Sequence, residues 1–65
     1  MDSKTINAVI ETIDTRIKRL TELAAESEKA GDSHFADAYR GRAWELVLTV
    51  DAIERLQVEA PPKAA

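Results

Sequence analysis

Between Ile6 and Ala24 the apolar residues Ile6, Ile10, Ile13, Ile17, Leu20 and Ala24 follow one another in steps of four and three. On an α-helix that spacing keeps all six in one narrow stripe, whereas on a strand it scatters them over both faces. The pattern predicts a first helix over residues 3–30. Asp2 or Ser3 is placed to cap its N-terminus, Asp14 and Lys18 stand four apart as a favourable charge pair, and Lys29 suits the negative end of the helix dipole. The four isoleucines are stiff at χ1 and lower intrinsic helix propensity, so packing against another surface has to supply much of the stability.

The sequence Ala30-Gly31-Asp32-Ser33 reads as a stop followed by a start. Gly31 is suited to the left-handed conformation that ends a helix, and Asp32 or Ser33 can accept hydrogen bonds from the first amides of the next. Three-four spacing resumes at Ala36, Tyr39, Ala43, Leu46, Val50, Ile53 and Gln57, with Phe35, Ala38 and Leu56 widening the face. A second helix is expected over residues 34–58. Pro61-Pro62 forbids its continuation, and residues 59–65 are expected to form a disordered tail. A link this short sets two helices antiparallel and adjacent.

Two rods, each roughly 40 Å long at about 1.5 Å per residue, cannot enclose a core. A chain of 65 residues buries little apolar surface by itself; it has no cysteine for a disulfide, and one histidine makes a structural zinc site improbable. Oligomerisation is the remaining supplement. The expected architecture is all-α: a hairpin over residues 1–58 that pairs with a second copy into a four-helix-bundle-like assembly. Ile6, Ile10, Ile13, Ile17, Leu20, Tyr39, Leu46, Val50 and Ile53 are assigned to the core or the dimer contact, and Phe35 is expected in the core near the turn.

A net charge of −3 provides no overall attraction to nucleic acid. The longest apolar run, Leu46-Val47-Leu48, lies inside an amphipathic pattern and is far too short to span a membrane. Met1-Asp2-Ser3-Lys4 lacks the basic and apolar regions of a signal peptide, so a soluble, cytoplasmic protein is expected.

At about 100° per residue, Tyr39, Ala43, Leu46, Val50 and Ile53 share one sector of the second helix, but Trp44 and Leu48 fall far round from it. Gly41 and Ala52 share this second sector, Val47 lies between the two, and Arg40, Asp51 and Arg55 border it. An aromatic anchor with small neighbours and a charged rim has the composition of a protein interface. Arg40, Gly41, Trp44, Val47, Leu48, Asp51 and Arg55 are therefore the candidate partner-binding residues. The alternative for Trp44 is that it packs within the homodimer.

Arg40, Arg42 and Arg55 invite a second reading as phosphate-binding residues of a small nucleic-acid accessory protein, although acids such as Asp37 and Glu45 interleave with them. A third reading is a purely structural dimerisation module. Catalysis is not expected: there is one histidine, His34, no cysteine, and carboxylates such as Glu22 and Glu26 fall on a polar face where water screens them. No catalytic, cofactor-binding or metal-binding residue is assigned, and no cofactor is expected.

The run Ala38-Tyr39-Arg40-Gly41-Arg42-Ala43 resembles part of the N-terminal helical domain of family X DNA polymerases. The chain lacks the helix-hairpin-helix glycines and the second-helix lysine of that family, so its lyase activity is set aside. More broadly, the small size, the absence of cysteine and the layout from Ala30-Gly31-Asp32-Ser33-His34-Phe35 through Arg40-Gly41-Arg42-Ala43-Trp44-Glu45-Leu46 are similar to bacteriophage-encoded helical accessory proteins of the quorum-sensing anti-activator type. That resemblance implies a non-enzymatic homodimer that binds and inhibits or modulates another protein, such as a host transcriptional regulator, in the host cytoplasm.

Overall fold

The computed structural model describes residues 2–59, which form two helices, α1 (Ser3–Lys29) and α2 (Ser33–Glu59), joined by Ala30-Gly31-Asp32. At the start of α1 the Asp2 carboxylate accepts from the Thr5 amide at 2.8 Å, and the Asp2 carbonyl accepts from Ile6 at 3.0 Å. Asp2 is thus the N-cap, and its carboxyl is held below the ordinary aspartate range, chiefly by the Thr5 amide.

The turn satisfies the orphan carbonyls of α1 in the Schellman pattern. The Asp32 amide donates to Ser27 O at 2.8 Å and the Gly31 amide to Glu28 O at 3.0 Å, with Gly31 at φ +81°. Asp32 then serves the next helix: its carboxylate accepts from the Phe35 amide at 3.2 Å and its carbonyl from Ala36 at 3.1 Å. Ser33, the other candidate cap, is instead the first residue of α2.

The helices pack along the anticipated stripes. Ile6, Ile10, Ile13 and Ile17 are half-buried and Leu20 and Ala24 buried on α1; opposite them Ala36 and Ala43 are buried and Tyr39, Leu46, Val50 and Ile53 half-buried. Counted outward from Gly31, Leu20 stands level with Ala43, Ile17 with Leu46, Ile13 with Val50 and Ile10 with Ile53. Among the described residues, burial is confined to Leu20, Ala24, Ala36 and Ala43, all in the half nearer the turn. Three of these are alanines, so the backbones approach closely there, while the isoleucines farther out are covered on one side only.

At the margins of the stripe several residues assigned to the packed face stay open in the single hairpin. Phe35 is 55 % exposed and Leu56 70 %, and Ala38 and Gln57 are exposed as well. On the wheel Ala38 and Leu56 lie well off the contact line, and one facing helix covers only a narrow arc; Phe35 shares the angle of Ile53 at the margin of the stripe but stands at the first turn of α2. Phe35 meets the His34 ring edge-on at 5.9 Å instead of entering the core. Asp14 and Lys18 form no ion pair; on α1 Arg19 reaches Glu22 at 3.3 Å and Glu26 at 3.9 Å. Glu59 ends α2, and residues 60–65 of the expected tail lie outside the described residues. Among the described residues, no helix is long and apolar enough to cross a membrane.

Candidate functional site on the second face of α2

The wheel arithmetic that packs Ala36, Ala43 and Val50 against α1 turns Trp44, Leu48 and Gly41 away from it. Trp44 is 61 % exposed, Leu48 48 % and Val47 39 %. Indole and leucine side chains left that open carry an unfavourable hydration cost that a covering surface would relieve. Gly41 sits in the same sector in the interior of α2, and a Cβ built on it meets nothing within 4 Å. Neither a positive φ nor a close contact within the hairpin accounts for a glycine there, although it weakens a helix by about 0.5–1 kcal/mol relative to alanine.

Charged residues frame this face. Asp37 accepts from Arg40 at 3.4 Å, and Asp51 pairs with Arg55 at 3.2 Å. Arg40 also reaches across to Glu28 on α1, the one ion pair among the described residues that joins the helices. That carboxylate, more than Asp37, raises the Arg40 pKa above its ordinary value. All four side chains of the two intrahelical pairs remain at least half exposed, so the pairs themselves contribute little stability.

The structure therefore gathers Arg40, Gly41, Trp44, Val47, Leu48, Asp51 and Arg55 on one exposed side of α2. It does not gather the arginines proposed for phosphate binding. Arg40 and Arg55 lie on the Trp44 side with carboxylates already beside them, whereas Arg42, two residues from Arg40 and so about 200° round the helix, lies on the other flank. There it lines a shallow open groove with Arg16, Leu20, Glu45, Leu46 and Thr49. A neighbouring groove of about 480 Å³ runs along Thr12, Ile13, Thr15, Arg16, Arg19 and Leu46. Thr12 and Thr15 turn their hydroxyls back to the carbonyls of Ala8 and Glu11, leaving their methyl groups toward the outside.

Sequence reasoning missed Val9, which is 40 % exposed beside the Ile6–Ile13 stripe. Its wheel position on the margin of that stripe was the available signal. With Phe35 and Leu56 it leaves apolar surface on the flank opposite Trp44, so neither side of the hairpin is wholly polar. No protein-family model matches the chain, and comparisons with curated proteins and with solved structures give no match.

Proposed function

We propose that this chain acts by contact and not by catalysis: a self-associating helical hairpin that binds and modulates another protein, with the Trp44 face of α2 as its contact surface. The observation that carries the reading is the exposure of Trp44, Val47 and Leu48 together on one side of a helix whose other side is already packed. The residues offer little to a chemical step, with one histidine, no cysteine and carboxylates on exposed helix faces. The resemblance to phage accessory proteins makes a host regulator the first outside partner class to test. Nucleic-acid binding has less support, because its arginines are divided between two flanks and two of the three have acidic neighbours.

Trp44 is the only tryptophan, so its fluorescence reports this surface alone. The expected result is red-shifted, readily quenched emission at high dilution that shifts blue and becomes protected from acrylamide as a protein surface covers the face. Emission that stays fully quenchable under every condition in which the protein associates or binds would remove Trp44 from the contact.

A further inference from the structure

The Trp44 face is ordered along its length as well as apolar. Asp37, Gly41, Trp44, Leu48, Asp51 and Arg55 alternate in steps of four and three, which draws a straight seam along α2 suited to another helix. The midpoint of the seam falls between Trp44 and Leu48. Toward the turn lies the pair Asp37–Arg40, and toward the far end the pair Asp51–Arg55, each with its acid first and its base one turn later. An antiparallel helix of the same sequence presents these charges in reverse order: Asp37 meets Arg55, Arg40 approaches Asp51, and Trp44 meets Leu48. A parallel copy in register sets like charge against like. The exposure of the four charged side chains, from 52 to 78 %, leaves them accessible to a second helix.

Gly41 fits this arrangement where the hairpin alone gives it no role. A residue without a side chain beside Trp44 lets an opposing backbone come close and gives the indole room to lie across it.

We propose that the occupant of the Trp44 face is a second copy of this chain, α2 against α2, antiparallel about a two-fold axis passing between Trp44 and Leu48. This rests on the reading of that face as a contact surface and adds the identity and register of what covers it, so that an outside protein uses the same face only by displacing the second copy.

The test uses Asp37→Arg and Arg55→Asp, each alone and then mixed in equal amounts, with dissociation followed by sedimentation at low ionic strength. Each variant alone sets like charges together at both ends of the seam, and its dissociation constant should rise about tenfold, an effect that shrinks as salt is added. In the mixture the introduced arginine meets the introduced aspartate at one end, and native Asp37 meets native Arg55 at the other, so wild-type affinity returns as a heterodimer. Asp37 and Arg55 are too far apart along α2 to touch within one chain, so this recovery is intermolecular. A mixture no tighter than its components overturns the antiparallel register, and a wild type that stays monomeric while another protein shields Trp44 overturns the second copy as occupant. Trp44→Ala separates the two readings. If it weakens association while the mixture fails to recover, the contact surface stands and the register falls; if it leaves both association and partner binding unchanged, the contact surface itself is wrong.

Discussion

Ala36 has no exposed surface, and a larger side chain there can be admitted only by moving the helices apart. Ala36→Leu should cost about 1–3 kcal/mol and lower the thermal midpoint followed by circular dichroism. Gly31→Ala is a different case: a Cβ meets nothing within 4 Å, but φ of +81° imposes a backbone penalty of about 1–2 kcal/mol on any residue with a side chain. Gly41→Ala should separate folding from association. At high dilution it should stabilise α2 by about 0.5–1 kcal/mol, and at high concentration it should weaken the dimer. The sign of the Asp2 effect follows from its lowered carboxyl pKa. Its contribution is present above the ordinary aspartate value and is lost as pH falls through the lowered one, so protection of the Thr5 amide against hydrogen exchange should decline only in acid. The caps were readable in the sequence to within a residue, because Asp, Ser and Gly each have a specific backbone role. Phe35 was not, because nothing in its residue type says whether a third helix is present to cover it.

The two stripes were legible because three-four spacing is a property of the helix alone, and each stripe residue from Ile6 to Ala24 and from Ala36 to Ile53 is buried or half-buried as its position requires. The width of the covered arc depends on the number of neighbouring helices, which the spacing does not encode; hence Ala38 and Leu56 were assigned to a face that stays open, while Gln57 keeps the stripe's angle and is exposed near the open end of the hairpin. The absent Asp14–Lys18 pair illustrates a related limit, since a favourable separation does not compel two long exposed side chains to meet. The second face of α2 was recognisable from Trp44 and Leu48 lying off the stripe, but its independence from α1 needed the packed pair of helices. The packed stripe between the helices and the second face of α2 should respond differently to truncation. Leu20→Ala, at a buried position, should cost about 3 kcal/mol in chemical denaturation at any protein concentration. Leu48→Ala should change the stability of the dilute chain by less than about 0.5 kcal/mol while weakening its association.

As a whole the hairpin is a single layer of two helices. Its radius of gyration is 15.7 Å, against about 11 Å for a compact domain of this length. Such a shape leaves Trp44, Val47 and Leu48 open on one broad side and Phe35, Val9 and Leu56 on the other, and apolar surface on both sides is what stacking into a bundle removes. If folding and pairing are coupled, the thermal midpoint rises with protein concentration by mass action; a midpoint independent of concentration would mean that the hairpin is stable alone. The most direct measurement is the solution mass, by light scattering during size-exclusion chromatography, of the wild type beside Trp44→Ala, with helicity checked for both. The account predicts a wild-type particle of twice the 7.2 kDa chain mass and a helical Trp44→Ala protein displaced toward the mass of one chain. A wild type that elutes as a monomer at every concentration, or a Trp44→Ala protein that dimerises as tightly as the wild type, would contradict the assignment of this face to self-association.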